Sequence, residues 1–130
     1  MAMAHLIIQY AESLDKQVNM TRVCNVMSGV MHKTSFFPLA GIRVRAYPVM
    51  HSSIADGHPE NTFLDMVLRM GEGRTEQQKS KVGTDLMAAA EAEFFKQLAN
   101  SHFALSLEII EISKLLSWKK NSMHKRLRPN

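Results

Sequence analysis

The sequence is poor in the features that mark secreted or membrane-bound proteins. Its 130 residues include one cysteine, Cys24, which excludes an internal disulfide scaffold. No apolar run approaches the roughly 20 residues of a membrane span. The segment Met1–Tyr10 lacks both the basic region and the long apolar core of a signal peptide. With 45% hydrophobic and 22% charged residues, the composition predicts one globular domain over residues 1–130, in the cytoplasm and without membrane contact.

Established metal, nucleophile and nucleotide motifs are also missing. No histidine pair has the i, i+4 spacing of a helical metal site or a nearby cysteine, which predicts no metal. The six histidines are His5, His32, His51, His58, His102 and His124. Cys24 falls in an apolar helical stripe and is interpreted as a small buried hydrophobe. No G-x-S-x-G pattern is present, and Gly71-x-Gly73-Arg74 lacks the Walker lysine and the full dinucleotide fingerprint, so no cofactor is predicted.

The formal charge of +4 comes from the C-terminal tail. Five basic residues lie in the last dozen residues: Lys119, Lys120, Lys125, Arg126 and Arg128. Without them, eleven basic residues stand against twelve acidic ones. The basic tail, residues 114–130, is interpreted as mainly solvated. A nucleic-acid-binding role is the weakest hypothesis, because the tail offers only Trp118 for stacking and the two-aromatic signature of RNA-binding sheets is missing.

Hydrophobic periodicity divides the chain into two similar halves. Each half reads as strand, helix and strand, with period two in the strands and i, i+3, i+4, i+7 spacing in the helices. The predicted strands span residues 4–10, 41–49, 63–70 and 103–113, and the helices about 15–33 and from the capping box Thr75–Gln78 to about residue 100. The tail from Lys114 is predicted to be irregular, with Trp118 as its one large apolar anchor.

Two β-α-β units predict an α+β fold with a four-stranded sheet and both helices on one face. The other sheet face is then uncovered in a single chain. Depending on register, it carries large side chains such as Ile7 or Leu6, Phe63, Val67 and Ile110. A domain of this size does not leave such a face in water, so the pattern predicts oligomerisation.

Arg43 and Arg74 are the strongest candidates for ligand binding. Each lies at a predicted strand end beside glycine, in Gly41-Ile42-Arg43 and Gly71-Glu72-Gly73-Arg74. The planar guanidinium fork suits carboxylates, and a helix N-terminus after Arg74 favours an anion. Two converging arginines would suit a small di- or tri-acid. Surface ion pairing is the alternative interpretation.

Several separate motifs resemble one known family. They are Phe37-Pro38-Leu39-Ala40-Gly41-Ile42-Arg43, Ala55-Asp56-Gly57, Gly71-x-Gly73-Arg74, Leu105-Ser106-x-Glu108 and the tail motif Lys119-x-Asn121-x-x-His124. At this spacing the chain resembles 5-carboxymethyl-2-hydroxymuconate isomerase, of the tautomerase superfamily, from about Ala4 to Leu127. The resemblance implies a homotrimer with the open sheet faces turned inward. It also implies a role in aromatic compound catabolism, within homoprotocatechuate degradation.

The resemblance further implies a reaction and its site residues. In this family an N-terminal proline acts as general base and ketonises a dienol polycarboxylate. Ala4 stands at the proline position, and Arg43 and Arg74 match the arginines that hold the carboxylates and stabilise the dienolate. His5, which matches the histidine after the family's proline in Ala4-His5-Leu6-Ile7, and Phe37, which opens the first motif, are assigned as further substrate contacts. Such a base must be a neutral amine near pH 7, which a cationic, partly desolvated pocket favours.

The chain departs from the family at the base. Ala4 replaces the N-terminal proline, and Met1-Ala2-Met3 precede it as an N-terminal extension. Three interpretations stay open: an isomerase that uses the Ala4 amine, a relative with another tautomerase-type reaction, and a non-catalytic trimeric protein that binds small carboxylates.

Overall fold

A computed structural model describes residues 3–127. They form four strands and four helices. In chain order these are β1 (Ala4–Ala11), α1 (Met20–Lys33), β2 (Ile42–Val49), β3 (Thr62–Gly71), α2 (Glu76–Glu93), α3 (Phe95–Ala99), β4 (Phe103–Ile112) and α4 (Met123–Leu127). Short 3-10 turns at Glu12–Lys16 and Leu39–Gly41 precede α1 and β2. Arg128, the last of the basic tail residues, lies outside the described residues.

The four strands form one sheet in the order β2-β1-β3-β4. β1 is parallel to β2, β3 is parallel to β4, and β1 and β3 pair antiparallel at the centre. Each half therefore contributes a parallel strand pair bridged by a helix, as the repeat predicted. The fold class, an α+β sheet with helices on one face, is confirmed.

The covered face of the sheet forms the hydrophobic core with α1 and α2. Alternate residues of β1 and β3 point to this face and are fully or almost fully buried: Ala4, Leu6, Ile8, Tyr10, Leu64, Met66, Leu68 and Met70. The stripe Val23, Met27 and Met31 of α1 packs in the same core, as do Val82, Leu86 and Ala90 of α2. Unbranched methionines fill the irregular space between helix and sheet.

In the part of the chain that the structure describes, no helix packs across the open face. Ile7, Phe63, Val67 and Ile110 lie there, as the alternation predicted, whereas Leu6 belongs to the covered face. Ile7 and Val67 are direct cross-strand partners at its centre. Charged residues surround this apolar patch, so the open face is more mixed than the apolar pattern alone suggested.

The helix boundaries correct the sequence-based predictions at both ends. α1 begins at Met20 rather than near residue 15, because the Asn19 side chain accepts a hydrogen bond from the Arg22 amide and caps the helix there. The second long helix breaks at Phe94, whose ring is fully buried and stacks on Phe103 at 5.3 Å between centroids. No glycine or proline marks this break in the sequence.

The tail also differs from its prediction. It contains the short helix α4, and the side chain of Asn121 donates to the carbonyl of Ala40 at 2.7 Å. Trp118 does not anchor the tail within this chain, since it is 85% exposed and Leu115 and Leu116 are exposed beside it. Between residues 3 and 127, no helix combines the length and the hydropathy that crossing a bilayer requires.

Candidate active site

The first residue of β1 places the predicted base position at one end of the sheet. Ala4 pairs with Ile42 of β2 and with Met70 of β3. The Gly71 amide donates to the Met3 carbonyl at 3.0 Å, which extends this pairing by one residue. The starts of β1 and β2 therefore meet the ends of β3 and β4. This end of the sheet, with His5, Arg43 and Arg74 around Ala4, is called the cationic end below.

His5, which is buried, and Arg43, which is exposed, form a pair on the open face at the cationic end. The two are cross-strand neighbours, and Arg43 Nε donates to His5 Nε2 at 3.1 Å. Burial, with the positive charges of Arg43, Arg45, Arg69 and Lys119, lowers the pKa of His5 to about 4. The imidazole is thus neutral, with its proton on Nδ1 because Nε2 accepts. Within residues 3–127 this buried Nδ1 has no hydrogen-bond partner.

Arg74 approaches the same end from the β3–α2 loop. Gly73 has φ +102°, a backbone conformation that favours glycine, and it turns the chain between β3 and the capped start of α2. The capping box of Thr75 and Gln78 is formed as predicted, with both hydrogen bonds present. Arg74 Nη2 donates to the Phe36 carbonyl at 2.6 Å, while its buried Nε finds no partner in the described part of the chain.

The two phenylalanines before β2 have different positions. Phe37 is 4% exposed and belongs to the hydrophobic core, so the chain alone leaves little of its ring for the predicted substrate contact. Phe36 is half-buried and lies 5.6 Å from the Arg74 guanidinium, ring centroid to Cζ. The sequence motif begins at Phe37 and does not include Phe36, so the ring that faces the arginine was not among the predicted site residues.

A cavity of about 370 Å³ opens beside Met3 and Arg74. Gly71 and Glu72 line one wall, and the chain that follows β4 lines the other. That second wall brings Lys114 and Lys119 to the site. We did not predict these lysines as site residues from the sequence, where they read as part of a solvated basic tail. The family motif that begins at Lys119 was the available signal.

The structure does not show the arginines in contact with each other. Arg43 is fixed by His5 and Arg74 by the Phe36 carbonyl, on opposite sides of the β1 start. Such separated guanidinium groups suit an extended ligand with more than one carboxylate better than a single small anion. The buried, unpartnered N–H groups of His5 and Arg74 supply further donors at the same end.

Two other groups of reactive side chains lie away from this end. Cys24 is half-buried rather than fully buried, lines a groove beside Tyr10, and burial raises the pKa of its thiol. His58, Glu60 and His102 come within metal-ligand reach of one another at the opposite end of the sheet. The two imidazoles stack at 4.3 Å with planes 27° apart, and each Nδ1 already has a hydrogen-bond partner: the Glu60 amide for His58 and Asn61 Oδ1 for His102. The absence of a bound metal stays a prediction.

Comparison with known proteins shows which family has this sequence and fold. The sequence model of the family described as 5-carboxymethyl-2-hydroxymuconate isomerase matches residues 4–127. The chain belongs to this family. The match begins at Ala4, the residue at the centre of the cationic end, and includes the tail residues that line the cavity.

Individual members of the family are similar over nearly their whole length. The 5-carboxymethyl-2-hydroxymuconate Delta-isomerase of Escherichia coli is 28% identical over 122 residues, which cover 94% of this chain and 97% of the relative. A crystal structure of a 5-carboxymethyl-2-hydroxymuconate isomerase from Deinococcus radiodurans R1 is 33% identical, with a TM-score of 0.92 over 98% of this chain and 96% of that one. Another delta-isomerase crystal structure, 29% identical, has a TM-score of 0.90 over 98% and 95%.

Proposed function

We propose that this protein is an isomerase that ketonises 5-carboxymethyl-2-hydroxymuconate or a similar dienol polycarboxylate. The observation that supports this most is the position of three cationic or imidazole side chains around the start of β1, the position that matches the catalytic amine of the family: Arg43 and His5 on the β2 side and Arg74 on the β3 side. Membership of the family and its isomerase relatives gives the reaction type.

In the proposed reaction the base is the α-amino group of a chain that begins at Ala4. It takes the proton from the 2-hydroxyl, the oxygen electrons form the C2 carbonyl, and the double bonds move to leave a C3–C4 alkene. The displaced electron pair at C5 then takes the proton back from the ammonium group. The base removes one proton and returns one, so the substrate and product are isomers, and the reaction needs neither an oxidant nor a metal.

The cationic end would serve this reaction in two ways. Arg43 and Arg74 would hold carboxylates and stabilise the negative charge of the dienolate. The same charges would disfavour protonation of a nearby amine, whose ordinary pKa is about 7.7–8.0. Within the chain itself, burial and then the charge of Arg43, with smaller contributions from Arg45, Arg69 and Lys119, lower the pKa of His5 in the same direction. A neutral amine near pH 7 is the form that acts as a base.

The test uses three chains that differ only at the start: one beginning at Met1, one at Ala4, and one at position 4 with Ala4→Pro. Ketonisation is followed by the loss of dienol absorbance, and mass spectrometry confirms each N-terminus. We expect activity from the two shorter chains and much less from the longest, in which the Ala4 nitrogen is an amide. If all three are inactive at concentrations at which the protein is oligomeric, the isomerase proposal is wrong.

The second candidate is a non-catalytic trimeric protein that binds small carboxylates. The observation in its favour is the Met3–Gly71 hydrogen bond, which holds the residue before Ala4 in the sheet and leaves no free amine there. This candidate predicts carboxylate binding that depends on Arg43 and Arg74 but no turnover by any of the three chains.

The oligomer in both candidates is a trimer with the open faces inward. Ile7 and Val67 lie side by side at the centre of that face, and Ile110 is 41% exposed. Val67→Lys should therefore reduce the mass measured by light scattering to that of one 14.7 kDa chain. Glu91→Lys, on the exposed side of α2, adds the same side chain as a control and should leave the mass unchanged. A wild-type chain that is monomeric at high concentration would contradict the trimer.

A further inference from the structure

The cavity at the cationic end is lined by Arg74 on one side and by residues after β4 on the other, while Arg43 lies outside its lining. Residues after β4 turn back across the end of the sheet, and Ser113, Lys114, Ser117 and Lys119 line the cavity from that side. Its volume of about 370 Å³ lies within the range of roughly 300–1,000 Å³ that is usual for small-molecule sites. Glu72 is the one acidic residue in the lining, against three basic ones.

Local hydrogen bonds give this wall a defined shape. The Leu116 amide donates to Ser113 Oγ at 3.0 Å, and the Ser117 hydroxyl donates to the Ser113 carbonyl, so the chain closes a turn between the two lysines. Further along, the Asn121 side chain donates to the Ala40 carbonyl and fastens the segment to the turn before β2. Lys114 and Lys119 are therefore held at the cavity by backbone that is fixed on both sides.

Neither lysine is neutralised within the chain. Between residues 3 and 127, no carboxylate lies within 4.0 Å of Lys114 or Lys119, whereas Lys79 and Lys81 on α2 both form ion pairs. Lys114 reaches back towards the β3–α2 loop, since a Cβ placed on Gly73 would lie 3.8 Å from its Nζ. Lys119 is close enough to His5 for its charge to contribute to the lowered pKa of that imidazole.

We infer that Lys114 and Lys119 form a subsite for an additional carboxylate, beyond the two that Arg43 and Arg74 hold, and that this subsite selects tricarboxylates over dicarboxylates. The inference rests on the proposed polycarboxylate ligand. A carboxymethyl-substituted muconate has three carboxylates, so two arginines leave one of them without a cationic partner. Lysine suits this role because its compact ammonium group, on a flexible stem, accepts a carboxylate from several directions.

Two unreactive probes that differ by one carboxylate test the subsite directly. Glutarate is pentanedioate, and tricarballylate is the same chain with a carboxylate on C3. With the full chain, calorimetry should give tighter binding of tricarballylate than of glutarate. Lys114→Ala and Lys119→Ala should each weaken tricarballylate binding by about tenfold, the usual effect of losing one charge-assisted hydrogen bond. Glutarate binding should change by less than about twofold, because its two carboxylates stay with the arginines.

Lys120→Ala is the matched control. This lysine follows Lys119 in the same exposed tail but does not line the cavity, so both affinities should stay at the wild-type value. The inference is overturned if wild type does not discriminate between the probes, or if the lysine variants weaken both probes equally. It is also overturned if Lys120→Ala has the same effect as Lys119→Ala, since general charge attraction would then explain the binding.

The inference and the proposed reaction fail in different experiments. Absence of turnover by all three N-terminal variants rejects the isomerase but leaves a lysine-dependent preference for tricarballylate measurable. Turnover together with equal affinity for both probes rejects the subsite and leaves the isomerase standing.

Discussion

The two ends of the sheet are built from the same strands but satisfy their polar groups in opposite ways. At the end where β3 and β4 begin, which we call the histidine end, Asn61 joins three neighbours. Its Nδ2 donates to the Ile54 carbonyl at 3.0 Å and to Asp56 Oδ1 at 2.8 Å, and its Oδ1 lies 3.0 Å from His102 Nδ1. These polar groups are satisfied within the chain.

At the cationic end, by comparison, several polar groups lack partners within the described residues. Buried nitrogens of His5 and Arg74 have no partner in residues 3–127, and Lys114 and Lys119 have no carboxylate. Buried donors without acceptors destabilise a fold unless something else accommodates them. The difference suggests that the histidine end contributes to stability and the cationic end to ligand binding. Substitutions at the two ends should therefore change different measurements.

The largest effect is expected at the cationic end, on activity. In the chain that begins at Ala4, Arg74→Ala should lower kcat/KM by about 10²–10³-fold, as loss of one oxyanion-stabilising donor does elsewhere. Arg22→Ala is the control, because Arg22 is an exposed arginine whose ion pair with Glu93 lies on the helical side. Arg74→Lys should recover little, since a single ammonium does not reproduce the guanidinium fork.

A stability measurement must accompany this variant, because Arg74 also binds the Phe36 carbonyl. We expect the free energy of unfolding to fall by about 1 kcal/mol for one lost hydrogen bond, too little to unfold the chain. If the loss of activity parallels a loss of folded protein, Arg74 acts on stability, and the two ends do not differ in role as inferred.

At the histidine end the large effect should be on stability. Asn61→Ala removes three hydrogen bonds and leaves Asp56 and His102 without their shared partner. We expect the free energy of unfolding to fall by about 2–3 kcal/mol, at roughly 1 kcal/mol for each bond. The activity of each folded chain should not change. Urea denaturation and an assay corrected for folded fraction measure the two quantities, and a lower kcat/KM in stable Asn61→Ala protein would contradict the prediction.

The fold could be predicted further from sequence than the site could. Strict alternation in 63–70 and helical spacing in α1 reflect burial on one face. One-sided burial spaces the apolar residues periodically, and this spacing is visible in the sequence. The helix break at Phe94 is not visible in the sequence, because no glycine or proline marks it. The tertiary stacking of Phe94 on Phe103 determines the break instead.

The site depends on contacts between distant residues, which periodicity does not encode. Arg43 and Arg74 were identified by their glycine neighbours and by family motifs. Their hydrogen-bond partners could not be identified in this way. The His5 contact follows from the register of β1 against β2, and the Phe36 contact from the β3–α2 loop. Lys119 resembled a solvated tail residue because nothing local shows that the chain after β4 turns back across the sheet end.

The third prediction concerns pH and separates His5 from the histidines at the other end. Protonation favours the unfolded chain, because the pKa of His5 is about 4 when folded against an ordinary 6.5. The stability from a neutral His5 is therefore complete above pH 6.5 and is lost as the pH falls towards 4. Between pH 7 and pH 5 the loss should be on the order of 1–2 kcal/mol.

His5→Gln tests this assignment, because glutamine keeps an acceptor for Arg43 but does not titrate in this range. Urea denaturation at pH 7 and pH 5 should show a smaller pH dependence for the variant than for wild type. An unchanged pH dependence would mean that other groups titrate instead. The lowered pKa of His5 would then no longer support the assignment of a positive, partly desolvated environment to the cationic end.

The smallest effect is expected from Glu60, at the rim of the histidine end. Its side chain is 75% exposed and approaches His102 Nε2 only to 3.8 Å, so solvent screens the pair. Glu60→Gln should change the free energy of unfolding by less than about 0.5 kcal/mol. Because His102 Nδ1 is already held by Asn61, the imidazole keeps its place without the carboxylate. A loss as large as that of Asn61→Ala would show that stability at this end depends on its charges, whereas a negligible loss would show that it depends on the hydrogen bonds of Asn61.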